Sequence, residues 1–526
     1  MDVDASQYAE MSREMMHSHN WLHLYDRGFD YLDKPPFLFW VSAASMKLFG
    51  ATNFAYKLPS LLFAILAVYA TYRLARKLYD ESTARMAALI LGCCQGMFLM
   101  INDVRTDTIL MAWVVTAIWA IKECEERRKW YWVLLGTLAI ACGMMTKGPI
   151  ALMVPVFALG SDWALKRQWK RIFSPWHLFD AALIGLFLIP MCIGLYQQFD
   201  LHPEKIVDNK PGPSGLRFFF WSQSFGRITG ESPWENGAGP EFLLVNMLWA
   251  FLPWILLLLA ALVVNIRTGI RQKFRLTPEQ EAVSTGGFVL AYLALGSSRY
   301  QLPHYIFVAF PLASIMVAAL LKAFFEGRLP KLHNFYRRVQ TGMGALLLVG
   351  VLLILTIVFP LGILGIALWL GAVAIWLAVV RKKLPGKVLW VSATAIMLTN
   401  AFLTNAFYRP LLQHYQLGGQ VGRFIRKEGI DPKHILAYRV DDPLNTLHFH
   451  AQHVIKVHFD SGFVDQPRFT HILTGTEGLA DLRRAGLHPV PLFQAERFKV
   501  SELTPEFLNR KTRHKATKPF WLVRVH

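Results

Sequence analysis

Between about residue 57 and residue 408 the chain alternates apolar runs of roughly 17 to 25 residues with short polar loops. Each run is long enough to cross a hydrocarbon layer as a helix. About twelve such spans are expected, centred near residues 66, 92, 114, 138, 156, 187, 253, 288, 313, 348, 371 and 397. Ahead of them, residues 1–56 hold only shorter amphipathic pieces, around Tyr8–Met16 and Phe37–Phe49, with the sizes and aromatic content of helices lying along a membrane interface. Pro35 and Pro36 permit a helix to start immediately after them. From residue 409 the period changes: HILAYRV, VIKVHF, THILTG and FWLVRVH read as strands, and LLQHYQLGGQVGRFIRKEG and EGLADLRRAG as helices. The expected organisation is an outer first segment (1–56), a transmembrane region (57–408) and a soluble α/β domain (409–526).

Composition agrees with a polytopic membrane protein, since 54% of the residues are hydrophobic and the mean hydropathy is +0.33. The net charge of +19 would suit nucleic acid if it were clustered on one face, but it is distributed by loop. Groups such as Arg73/Arg76/Lys77/Arg85, Lys166/Arg167/Lys170/Arg171 and Arg381/Lys382/Lys383/Lys387 occupy alternate loops, as lysine and arginine do on a cytoplasmic side. The short intervening loops carry only Arg105, Lys147 and Arg299. Nucleic acid is therefore not an expected partner. The N-terminal segment, the loop at Asp107, residues 199–241 and the C-terminal tail all fall outside. The five cysteines lie away from those outer segments, so no disulfide framework is expected, and Cys93-Cys94 reads as a pair of small buried helix residues.

An acid at the edge of a membrane region is costly unless solvated, paired or used. Asp107, at the start of TILMAWVVTAIWA, is the sharpest case, with a helix N-cap as the competing reading. Asp4 and Glu10 in DASQYAEMSREM meet the same contest with the acid-rich first turn of a helix. Lys34 lies between an acid and two stiffening prolines, where a fixed ammonium suits a phosphate. Arg217 and Arg227 in the outer stretch, with Arg299, His304 and Tyr305 in GSSRYQLPHYIF, offer further groups at lipid-phosphate depth. Arg105 and Lys147 read equally as solvated or functional. His17, His19 and His23 with Asp26, Asp30 and Asp33 provide divalent-ion ligand types without a spacing that specifies a site, so metal and cofactor stay unknown. The His448, His450, His453 and His458 set reads as surface or packing histidine. No Gly-rich phosphate loop, nucleophile elbow or paired-cysteine metal motif is present, and no nucleotide cofactor is expected. A transporter or lipid flippase is the competing class, and it calls for mid-membrane charges and broken helices in related halves.

The segments DASQYAEMSREM, YLDKPPFLFW, RTDTILMAW, MTKGPIALMVP, FFFWSQSFGRI and SRYQLPHYIF occur in that order. As an ordered set the chain resembles the polyprenyl-phosphate-sugar-dependent membrane glycosyltransferases of the GT-C type, in particular the aminoarabinose lipid A transferase and protein O-mannosyltransferase branch. The resemblance implies Asp4 as the first-loop catalytic aspartate, Asp107 as the second-loop aspartate, Lys34 as the donor-phosphate lysine and Asp33 as the acid before it. Arg227 and Tyr305 would stand near the lipid phosphate; Arg299 is a further candidate phosphate ligand, and Glu10 a candidate support for Asp4. It further implies an undecaprenyl-phosphate sugar donor and a lipid A, protein or glycan acceptor. The enzyme would lie in the bacterial inner membrane with its site facing the periplasm, and the chemistry would be an inverting single displacement. The sugar and the oligomeric state stay open. The chain departs from that pattern twice. Gln223-Ser224 stands where the aminoarabinose transferases carry Glu-His. Asp4 also follows Met1 almost directly, where the family has a first transmembrane helix, so a misassigned start or a truncation is expected.

Overall fold

The structure is a computed structural model that describes residues 3–525 except 208–209, 232–234, 442–443 and 461–468. The amphipathic N-terminal pieces become α1 (Val3–Ser18) and α2 (Phe37–Phe49), joined through a small antiparallel hairpin of β1 (Tyr25–Asp26) and β2 (Phe29–Asp30). Asp26 pairs with Phe29, leaving Arg27 and Gly28 as a two-residue turn with positive φ (56° and 81°), the geometry that favours glycine. The α1 carboxylate Glu14 accepts the Arg27 amide at 2.9 Å and the Gly28 amide at 3.3 Å.

The membrane region follows as α3 (Asn53–Leu78), α4 (Glu81–Gly92), α5 (Gln95–Asn102), α6 (Thr106–Arg127), α7 (Trp130–Lys147) and α8 (Ile150–Leu165). Helices Trp176–Leu195, Ile255–Arg271, Val283–Gly296, Phe310–Phe325, Pro330–Ile357, Ile363–Arg381 and Lys387–Phe402 complete it. Caps set two of the boundaries: Thr52 accepts the Ala55 amide ahead of α3, and Asp80 accepts the Thr83 amide ahead of α4. Eleven of the twelve expected span centres fall within helices, although Gly92 is the last residue of α4, which meets α5 at 55°; the twelfth, Pro253, lies at a break between Phe242–Ala250 and Ile255–Arg271. Among the described residues six helices are long and apolar enough to cross a membrane, seven with the bent α4–α5 pair, and several others are shorter or carry more charge than a simple span. The chain is a multi-pass helical membrane protein.

Burial sorts these helices by position. Helix α6 is buried along nearly its whole length, and Phe310–Phe325 is likewise interior, whereas Ile363–Arg381 leaves Ile363, Leu364 and Leu368 exposed, as a lipid-facing helix does. Helix α1 differs from the expected interfacial lie. Tyr8, Ala9, Met11 and Met15 bury against Leu38, Phe39 and Ala43 of α2 and against Phe449 of the C-terminal part, so its apolar face is covered by protein.

After residue 408 the chain forms a five-stranded sheet, ordered Lys456–His458, Ile435–Tyr438, His471–Gly475, Lys518–Arg524, Val490–Arg497. The first three strands run parallel and the last two pair antiparallel. Four of these strands match the sequence reading. Val490–Arg497 does not: half of its side chains are exposed and only Ala495 is buried, so it lacks the buried alternation that marks a strand. The sheet domain docks on the N-terminal segment, where Arg13 donates to the Gln452 carbonyl (3.0 Å) and Tyr56 packs on Phe449.

Candidate active site

Helix α7 ends at Lys147, and Gly148 (φ 89°) reverses the chain so that Pro149 can open α8. This turn aims Lys147 at the start of α6. There Arg105 is the N-cap residue without a side-chain cap, so Asp107, already inside the first turn, is free of that role. The buried Asp107 instead accepts from Lys147 at 2.5 Å through Oδ1, and its Oδ2 lies 3.6 Å from His304 Nε2 without a hydrogen-bond partner. The Lys147 ammonium also sits 4.0 Å from the Tyr305 ring centroid, a cation–π distance.

Tyr305 carries the site onward, because its hydroxyl accepts from Arg227 Nη1 at 2.8 Å. Arg227 stacks over Tyr300 at 5.2 Å, and its Nε is buried with no hydrogen-bond partner. Lys34, Lys147, Arg227 and Tyr305 together line a cavity of about 100 Å³ that opens to the outside and whose other walls include Leu110, Ile150, Met153 and Leu295. Three cations over an apolar trough make a site for a phosphate carried on a hydrocarbon chain.

Lys34 is held by its neighbour Asp33, with which it forms an ion pair, and Gln223 donates to the Asp33 backbone carbonyl and, at 3.3 Å, to its carboxylate. Burial acts to raise the Asp33 carboxyl, but Lys34, Arg227 and Gln223 outweigh it and hold the group below the usual carboxylate range. Gln223 thus supplies a neutral amide where a carboxylate would repel Asp33.

Asp4 is half-exposed and accepts from Arg105 Nη1 at 2.9 Å, while the same guanidinium holds Asp103 at 3.1 Å. Arg105 in turn lies in electrostatic range of Asp107, so the two aspartates flank one cation. The structure therefore brings Asp4, Asp107, Lys34, Asp33, Arg227 and Tyr305 to one region. It does not bring Glu10 or Arg299 into the cavity. Glu10 is fully buried in a two-point ion pair with Arg13 (2.5 and 2.8 Å), which faces the C-terminal domain, and Arg299 pairs with Glu235 at 3.1 Å. Lys147 and Gln223 are the site residues that sequence reading undervalued. The TKGP turn was the available signal for the first.

Among the described residues no three His, Cys, Asp or Glu side chains converge as a metal site. Asp26, Asp30 and Asp33 are each engaged, by Gln7, by Gln198 and Lys205, and by Lys34 and Gln223. His448 is a packing histidine whose Nδ1 accepts the Ile455 amide.

This arrangement has counterparts in solved structures. ArnT from Cupriavidus metallidurans in the apo state superposes with a TM-score of 0.69 at 17% identity, covering 98% of this chain and 93% of that one. Its form bound to undecaprenyl phosphate gives the same score at 18% identity. The fold is that of the GT-C membrane glycosyltransferases. A more distant GT-C counterpart is the Archaeoglobus fulgidus oligosaccharyltransferase in the apo form, with a TM-score of 0.52 at 13% identity over 90% of this chain and 66% of that one. In sequence, the family described as dolichyl-phosphate-mannose-protein mannosyltransferase matches residues 33–193. The undecaprenyl phosphate-alpha-4-amino-4-deoxy-L-arabinose arabinosyl transferase of Edwardsiella ictaluri is 28% identical over 69% of this chain and 62% of its own length. The protein of the same description from Erwinia tasmaniensis is 31% identical over 49% of this chain and 45% of its own length. The chain thus spans about half to three fifths of the length of these curated relatives.

Proposed function

We propose that this GT-C protein is a bacterial inner-membrane glycosyltransferase. It moves a sugar, of the aminoarabinose type, from an undecaprenyl-phosphate carrier to a periplasmic acceptor such as lipid A. The observation that carries the reading is the convergence of Lys34, Lys147 and Arg227 on one apolar-walled cavity beside the Asp4–Arg105 pair. Lys34 and Arg227 take the donor phosphate, with Tyr305 fixing the Arg227 guanidinium. Asp4 accepts the proton of the acceptor hydroxyl or phosphate, and the freed oxygen attacks the anomeric carbon from the face opposite the carrier. The carbon–oxygen bond to the phosphate breaks and its electron pair stays on the lipid phosphate, where the cations stabilise the charge that develops in an oxocarbenium-like transition state. Attack from the opposite face inverts the anomeric configuration. Asp107 holds Lys147 in place beneath the phosphate and Tyr305.

A transporter reading would need charge at mid-membrane. Here Asp107 is the second residue of α6, Lys147 the last of α7, and Lys34 lies in a loop, so the charges gather at helix ends. The test compares by mass spectrometry the lipid A of the host with the gene intact, deleted, and restored as wild type or as Asp4→Asn. A sugar-sized mass that follows the wild-type gene and is absent with Asp4→Asn supports the reading. An unchanged lipid A profile on deletion removes lipid A as the acceptor.

A further inference from the structure

The helix Trp176–Leu195 runs on into one wide π-type turn, Tyr196–Asp200. Such turns recur at functional sites, where the extra residue re-aims the side chains around it. Neither Gln198 nor Asp200 of this turn lines the charged cavity, yet each holds one of the two chain segments that reach it.

Gln198 faces the first segment. It is buried; its amide oxygen accepts the Leu24 amide at 2.9 Å, and its nitrogen donates to the Leu24 carbonyl and to Asp30 Oδ1, both at 2.8 Å. The side chain thus pairs with Leu24 as a neighbouring strand would, with one bond in each direction. Lys205, just past the turn, adds an ion pair to Asp30 at 3.0 Å and donates to the Gln198 carbonyl at 2.9 Å. Leu24 closes the β1–β2 hairpin, since its carbonyl also accepts the Tyr31 amide at 3.0 Å. From Tyr31 to Lys34 is at most roughly 11 Å of chain.

Asp200 faces the second segment. Its Oδ2 accepts the amides of Gly215 at 2.9 Å and Leu216 at 3.3 Å, and its Oδ1 accepts the Ser214 hydroxyl at 2.5 Å. A carboxylate on these first amides starts the helical stretch that runs through Phe218–Ser222 toward Gln223 and Arg227. Buried Phe199, between the two polar residues, shares one apolar cluster with Leu32 of the first segment and Phe218 of the second. Both segments also approach the helix end at glycines. A Cβ on Gly194 would run into the Leu22 carbonyl, and one on Gly215 would lie 2.9 Å from the Leu195 carbonyl.

The segments meet again at the site, where Gln223 donates to the Asp33 carbonyl. The contacts close a ring from the π turn through the hairpin to Asp33 and Lys34, across to Gln223, and back along the helical stretch to Asp200. We propose that Gln198 and Asp200 are positioning residues for the donor phosphate, holding the segments that present Lys34 and Arg227 at the spacing that binds it. The proposal rests on the reading of those two cations as phosphate ligands and deepens it, because it places part of the donor affinity outside the cavity.

The test titrates the full chain in nanodiscs with undecaprenyl phosphate and measures donor and acceptor KM separately. Gln198→Met, which keeps the length and removes the amide, should weaken undecaprenyl phosphate binding and raise donor KM about tenfold, with acceptor KM unmoved. Asp200→Ala should do the same. Asp200→Asn, which can still accept the Gly215 amide and donate to Ser214, should restore binding to within about twofold of wild type, and this pair carries the test if Gln198→Met does not fold. The losses should also run through the cations. Gln198→Met should add less than about twofold to Lys34→Ala, and Asp200→Ala less than about twofold to Arg227→Ala, whereas independent sites would multiply. Unchanged binding in the single variants, multiplying losses in the double ones, or equal rises in both KM values would overturn the proposal. Wild type that binds undecaprenyl phosphate but transfers no sugar defeats the enzyme reading and leaves the positioning role standing; wild type that does not bind it defeats both.

Discussion

Lys147 and Asp107, the last residue of one helix and the second of another, close a 2.5 Å hydrogen bond across forty positions of sequence, directly under the cavity that holds Lys34 and Arg227. Asp107 is 1% exposed, so each charge compensates the desolvation of the other. Lys147→Met is expected to destabilise the protein by about 3–5 kcal/mol, because it strands a buried carboxylate. The double variant Asp107→Asn/Lys147→Met should recover most of that stability and no transfer. Thermal midpoints of the single and double variants in detergent measure the coupling, and additive single effects would dismiss the pair.

Asp4 stands in the opposite condition. Its side chain is 44% exposed and held by Arg105, so Asp4→Asn should leave stability within about 0.5 kcal/mol. Sugar transfer should nonetheless fall by roughly 10²–10⁴, the range for loss of a positioned base. A variant that folds normally and retains full transfer removes the base assignment.

The Asp33–Lys34–Gln223 arrangement makes a more selective expectation. Lys34→Ala removes a charged partner of the donor phosphate, worth about 1.5–3 kcal/mol, and should raise donor KM by about ten- to a hundredfold. Gln223→Glu keeps the shape and adds a carboxylate beside Asp33, which should draw Lys34 away from the phosphate and also raise donor KM, with acceptor KM unmoved. Steady-state kinetics with each substrate varied in turn separate the two. Equal changes in both KM values would point to general misfolding.

The membrane class, the position of nearly every helix and most of the C-terminal sheet were legible because hydrophobic runs and short β-rich runs are local patterns. The bend at Gly92 and the break at Pro253 were not, since an apolar run has the same composition whether straight or bent. The resemblance singled out Asp4, Lys34 and Asp107 as candidates, and the fold places them in one region. The partner of Asp107 was hidden for a physical reason: Lys147 in a short outer loop looks the same in sequence whether solvated or turned inward by Gly148. Glu10 misled in the converse way, because an acid near Asp4 on the same helix reads as a neighbour of the site, while the helical turn points it at Arg13 and the C-terminal domain.

Glu14 connects the N-terminal hairpin to pH. Burial is the main cause that pushes its carboxyl up, with Glu10 and Asp26 adding to it and the Gly28 amide and Arg13 opposing, to a value of about 7 from an ordinary 4.5. The folded state therefore holds this proton more tightly than the unfolded chain. Glu14's contribution to stability is fully present below about pH 4.5 and is lost as pH rises through about 7. The carboxylate also holds the Arg27 and Gly28 amides of the turn that leads to Asp33 and Lys34, so Glu14→Gln keeps one acceptor while removing the charge. Thermal midpoints from pH 5 to pH 8 should fall for wild type and fall less for Glu14→Gln, with the variant the more stable at pH 8. Parallel profiles for the two proteins would show that Glu14 titrates as an ordinary surface acid.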